Sequence, residues 1–184
     1  MDFVQSISRT VPVGAIIVAL ASTMPVLAGG PETSIQTEYL MTAHAPLNAP
    51  QAIDQSLLVF NVQPGGWVEG PRIKGKLLAP GADWLRVMPS GVMRLDVRAT
   101  IETDDGELIY MSYGGAIQCN KDQADRMNAG QQLKADDCYF ITAPTFQTKS
   151  DKYAWLNGVQ AVGKMVSLKT GEGSHVRYNI FAVK

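Results

Sequence analysis

Asp96 and Arg98 stand two residues apart in the run Val92 to Thr103, whose side chains alternate strictly. Met93, Leu95, Val97, Ala99 and Ile101 share one face, and Arg94, Asp96, Arg98, Thr100 and Glu102 share the other. If the polar face lines a cavity, Arg98 presents a fork of donors to a carboxylate or carbonyl oxygen, with Thr100 beside it. Asp96 then orients the guanidinium or acts as a general base. If the apolar face is the core, the same two residues form a surface pair worth under ~1 kcal/mol. Asp83 follows Pro80-Gly81-Ala82 and precedes Trp84, which makes it either the cap of a turn or an acid at a cavity rim. Arg72 shares a face with Gly70 and Lys74; it is a further ligand-binding candidate or a solvent-facing strand arginine.

Trp84, Tyr110, Tyr139, Phe146 and Trp155 supply aromatic surface with polar handles for a ligand-holding lumen, and the same residues serve equally as core. The chain has two histidines, His44 in a proline-rich stretch and His175 beside a turn. Neither spacing suits zinc, and no Gly-x-Ser-x-Gly elbow occurs. Asp104-Asp105-Gly106 reads as a tight turn between strands, being too short for a helix-flanked calcium loop. No metal or cofactor is expected.

These residues must be positioned by short strands. β-type runs at Leu57 to Val62, Trp67 to Leu78, Trp84 to Met88, Val92 to Thr103, Glu107 to Tyr113, Tyr139 to Thr148, Ala161 to Leu168 and Val176 to Val183 are separated by turn residues. Pro64-Gly65-Gly66, Pro89-Ser90-Gly91 and Gly171-Glu172-Gly173 are examples of those turns. Strands joined by tight turns pair antiparallel, and this many in one small domain predict a barrel or sandwich. Helix signals are confined to Lys121 to Leu133 and Asp151 to Leu156. No sustained period of 3.6 is present, which argues against an α/β nucleotide-binding fold.

The chain of 184 residues has 46% apolar and 18% charged content, as one ordinary globular domain does. Its net charge of -1, with both signs interspersed, offers no basic stripe for nucleic acid. Residues 1–28 read as a secretory signal: an apolar run from Val11 to Ala21 leads to Val26 and Ala28, small residues suited to cleavage before Gly29. An uncleaved anchor is the other reading, although the run is shorter than the ~20 residues of a span. After cleavage no membrane association is expected, and the mature protein is periplasmic or secreted. Residues 29–55 then read as loop-rich, with Tyr39 to Ala43 as a candidate first strand, and 56–184 as the barrel domain. In an oxidising compartment Cys119 and Cys138 form a disulfide closing the polar insertion 120–137; a redox or metal role lacks Cys-x-x-Cys spacing and a nearby His.

Several ordered motifs carry a family likeness. Gly70-Pro71-Arg72-Ile73-Lys74-Gly75, Pro80-Gly81-Ala82-Asp83-Trp84, the stretch from Gly91 to Tyr110, Tyr139 to Phe146 and Tyr153-Ala154-Trp155-Leu156-Asn157 resemble the domain of unknown function 3237 family in order and spacing. The likeness spans about Gly70 to the C-terminus. It implies a single antiparallel calycin-like barrel with little helix, a central cavity and a homodimer. It also brings the lumen placement of Asp96 and Arg98 level with the solvent-facing one, because the Leu-Asp-x-Arg pattern recurs there. The secretory signal and the Cys-bounded insertion depart from the family pattern. Three readings of function follow: a barrel binding an apolar or aromatic molecule with an oxygen anion or carbonyl, an enzyme of cyclase, isomerase or lyase type using Asp83 or Asp96, and a surface interaction module.

Overall fold

Alternating strands bury one face only where paired neighbours turn the same face inward. In the computed structural model, which describes residues 34–184, this pairing closes on itself. The strands in chain order are β1 (Thr37–Pro46), β2 (Gln51–Ala52), β3 (Leu57–Asn61), β4 (Gly66–Glu69), β5 (Lys74–Val87), β6 (Met93–Thr103) and β7 (Leu108–Gln118). After helix α1 (Lys121–Asn128) come β8 (Leu133–Lys134) and β9 (Tyr139–Gln147), and after a 3-10 helix (Asp151–Gly158) come β10 (Ala161–Lys169) and β11 (His175–Val183). Antiparallel neighbours run β5, β4, β1, β11, β10, β9, β7, β6 and back to β5, giving a closed barrel of eight strands. β3 continues the sheet beside β5 with β2 beyond it, and β8 pairs with β10.

The barrel begins earlier than the sequence suggests. β1 pairs with β11 from Thr37 to Pro46 and with β4 at Thr42 to His44, so it is an integral wall, not part of a loop-rich leader. Its prolines explain this: Pro46 and Pro50 fall at and beyond the end of the strand, where missing N–H groups interrupt no ladder. The expected signal segment lies outside the described residues.

β5 is also a correction. The sequence pattern makes Pro80-Gly81 a break between two strands, yet one strand runs through it, with Leu78 opposite Thr100 and Ala82 opposite Arg98. Four steps on β5 match two on β6, so the proline and glycine form a bulge where a missing donor and a missing side chain do least harm. Two extra residues preserve the alternation. Leu77, Asp83 and Leu85 therefore share one face of β5, opposite Ile101, Val97 and Leu95 of β6.

That shared face is the interior. Met41, Ile101, Ile109, Met165 and Ile180 are sealed there at 2% exposure or less, each contributing about 1.5–3 kcal/mol of burial. Gly91 and Gly106 take positive φ in the turns before and after β6, where a Cβ would be strained. The 3-10 helix closes one end of the barrel. Its Tyr153 and Leu156 are buried, and Asp105 of the β6–β7 turn accepts hydrogen bonds from the Tyr153 hydroxyl (3.0 Å), Lys152 (2.6 Å) and Thr103 (2.6 Å). The other end carries the insertion, where Cys119 and Cys138 are joined and α1 is capped reciprocally by Asn120 and Gln123.

Candidate functional site

Between those ends, the bulged β5 delivers an aspartate into an otherwise apolar wall. Asp83 stands opposite Val97, which in turn stands opposite Tyr113 of β7. Val97 is 5% exposed, whereas Asp83 and Tyr113 keep part of their surface accessible. Tyr178 of β11 completes the layer at 4% exposure, its ring edge-on to Tyr113 at 5.9 Å and to Phe140 of β9 at 5.4 Å.

The electrostatics follow from the surroundings. One carboxylate oxygen of Asp83 accepts the Asp96 backbone N–H at 3.0 Å, which favours the charged form. Burial outweighs that bond and, with the Asp96 charge adding to it, pushes the Asp83 carboxyl up from 3.8 to about 6. Burial also holds the Tyr113 and Tyr178 hydroxyls well above the ordinary tyrosine value, and the Asp83 charge adds to both shifts. The chemical content is a carboxyl that gains and loses a proton near neutrality, beside two phenols that remain neutral donors.

The other sequence candidates divide between inside and outside. The apolar face of β6 looks inward, so Asp96, Arg98 and Thr100 stand on the outer wall; of the two placements open from the sequence, the lumen one is ruled out. Arg98 and Asp96 form a 2.9 Å ion pair with side chains 52% and 45% exposed, and the Arg98 guanidinium lies 5.6 Å from the ring centre of Trp84. Trp84, Tyr110 and Tyr139 are exposed on that same outer wall. Phe146 points inward at 6% exposure. Arg72 is exposed and stacks 3.7 Å above Trp155 at the closed end, far along the barrel from Asp83. Of the chosen residues, Asp83 and Phe146 thus share the interior, and only Asp83 brings polar chemistry to it. Tyr113 and Tyr178 were missed. Their signal was parity: Tyr113 continues the row Ile109–Met111, and Tyr178 sits between Val176 and Ile180, so each is a hydroxyl in a row that is otherwise apolar.

Comparison with known proteins places this barrel among relatives. The chain is 29% identical over 126 residues to a UPF0311 protein of Rhodopseudomonas palustris, which covers 67% of this chain and 82% of that one. A solved β-barrel-like protein of Acinetobacter baumannii superimposes with a TM-score of 0.66 at 31% identity, over 85% of this chain and 99% of that one. A more distant relative is an enzyme, the hydroalkoxylation enzyme phnH of Penicillium herquei, 27% identical over 150 residues that cover 80% of this chain and 85% of the other. The family model described as protein of unknown function DUF3237 matches residues 35–183, and the chain belongs to that family.

Proposed function

We propose that the barrel lumen is an acid–base site for a small oxygen-bearing organic molecule, with Asp83 moving the proton and Tyr113 donating a hydrogen bond to substrate oxygen. The observation that carries this is Asp83 itself, an inward-facing, partly accessible carboxyl raised to about 6 among aromatic neighbours. Such a group serves as acid and base in turn at neutral pH.

The named activity of the fungal relative gives a reaction class that the same groups can perform. In a hydroalkoxylation, protonated Asp83 gives its proton to one carbon of an alkene, and a hydroxyl oxygen of the same substrate bonds to the other carbon. The hydroxyl proton returns to the Asp83 carboxylate, so the product is an isomer of the substrate and the enzyme is regenerated. Phe140 and the two tyrosine rings provide apolar walls for the unsaturated part. The protein is also proposed to be exported, a reading supported by the N-terminal signal pattern and by the bonded cysteines. N-terminal sequencing of the mature protein tests it, with Gly29 expected first and an intact Met1 counting against it.

The test of the site is turnover of alkenyl phenols to cyclic ethers, followed by mass spectrometry with chromatographic separation. Asp83→Asn is expected to abolish turnover, while Tyr113→Phe lowers it by about ten- to a thousandfold, as loss of an oxygen-stabilising donor does. Full activity in Asp83→Asn would remove acid–base chemistry from this lumen. A molecule that co-purifies and binds equally to Asp83→Asn, with no turnover, would instead make the lumen a binding site.

A further inference from the structure

A concavity lies on the outside of the barrel, on the wall formed by β4, β1, β11 and β10. Its volume is about 520 Å³, and it is lined by Tyr39, Thr42, Trp67, Glu69, Arg177 and Asn179, with Val166 contributing apolar surface. The residues that alternate with these, among them Met41, Val68, Tyr178 and Ile180, point into the core. The groove is therefore separated from Asp83 by the thickness of the wall.

The groove is held in place by contacts beside it on the same outer wall. The Trp67 indole stacks on His44 at 5.5 Å with the planes 25° apart, and His44 packs on His175 at 5.2 Å. His175 is fixed in turn by the Gly173 carbonyl at 2.8 Å and by Ser167 at 3.0 Å, the latter bonded to Gln132. On the floor, the Thr42 hydroxyl donates to Asn179 Oδ1 at 2.8 Å and contacts the Tyr39 hydroxyl at 2.7 Å. That arrangement leaves the Asn179 amide nitrogen without a hydrogen-bond partner among the described residues. Arg177 has no carboxylate within ion-pair distance among the described residues. Among the described residues the Glu69 carboxylate is engaged only by Lys74, at 3.4 Å and largely exposed, while its backbone carbonyl accepts the Tyr39 hydroxyl at 3.3 Å.

One aromatic platform, bordered by an amide, a carboxylate, a phenol and an unpaired guanidinium, matches a ligand with one apolar face and a polar rim. A pyranose ring meets the description: its axial C–H face packs on an indole, and its hydroxyls reach the amide and carboxylate. The unpaired Arg177 adds a fork for a carboxylate. We infer that this outer groove binds a carboxylated sugar of the uronate type, independently of any chemistry in the lumen.

Calorimetric titration of the purified protein with tetragalacturonate and with neutral galactotetraose tests this. The acidic oligosaccharide is expected to bind more tightly. Arg177→Gln should weaken it about tenfold, to the level of the neutral one, by removing a charge-assisted hydrogen bond. Trp67→Ala should abolish binding of both, with Trp67→Phe retaining part of it should the alanine variant fold poorly. Asp83→Asn should bind as the parent does, which separates this groove from the lumen site. No binding of either oligosaccharide, equal binding of both, or an Arg177→Gln variant indistinguishable from the parent would overturn the inference.

Discussion

Replacing Asp83 with asparagine should make the protein more stable at neutral pH, and the gain should vanish in acid. In the unfolded chain this carboxyl titrates near 3.8, whereas in the barrel it titrates near 6. Between those values the folded state holds a proton that the unfolded state has released, so stability falls as pH rises from 3.8 to 6 and is level beyond. A rise of that size corresponds to about 3 kcal/mol at about 1.36 kcal/mol per pH step. Asparagine keeps an oxygen to accept the Asp96 N–H and removes the buried charge. Urea unfolding of both proteins from pH 4 to pH 8 gives the difference directly, and shifts common to both, such as the lowered titration of Asp105 and Asp54, cancel. The variant should gain up to about 3 kcal/mol at pH 7.5 relative to pH 4, or roughly 6–12 °C in Tm for a domain of this size. A difference that stays flat with pH, or one that favours the parent at pH 7.5, would refute a buried, proton-holding Asp83 and the acid–base site with it. The gain is also the expected mark of a functional residue, held in an unfavourable place for what it does there.

Removing the Cys119–Cys138 bridge by double alanine substitution should lower unfolding stability by about 3 kcal/mol, from the freedom regained by a loop with a separation of 19 residues. Equal urea midpoints would show that the insertion contributes no such constraint. Gly163→Ala should cost about 1–3 kcal/mol, because a Cβ there would lie 2.3 Å from Oγ1 of Thr142, itself 2% exposed and boxed in. A thermal scan that shows no loss would mean that the wall yields at this point. Arg98→Ala should change stability by under ~1 kcal/mol and leave any lumen ligand's affinity intact, since its ion pair is on the outer wall. A large loss of ligand affinity would put Arg98 back in the site.

The strands were legible because alternation and turn chemistry are local properties. The turns at Pro64-Gly65-Gly66, Asp104-Asp105-Gly106 and Gly171-Glu172-Gly173 fall where the chain reverses, and the helical stretches at Lys121 and Asp151 are where the two short helices form. Which face of β6 looks inward was harder to read. Arg98 and Asp96 attract notice as chemistry, yet the closed ring of eight strands needs an apolar filling, and Leu95, Val97, Ala99 and Ile101 provide it. A polar lumen would have required the opposite face of every neighbouring strand to be polar too. On β7 and β11 the rows containing Ile109, Met111, Val176 and Ile180 already ruled that out. The same argument recovers what was missed. Once the bulge at Pro80-Gly81 is taken as two extra residues within one strand, the parity running from Leu77 carries Asp83 inside, and the parities of β7 and β11 carry Tyr113 and Tyr178 to meet it. In a closed barrel, then, chemistry is to be sought in polar residues that break an apolar row, since a polar row is already accounted for by solvent.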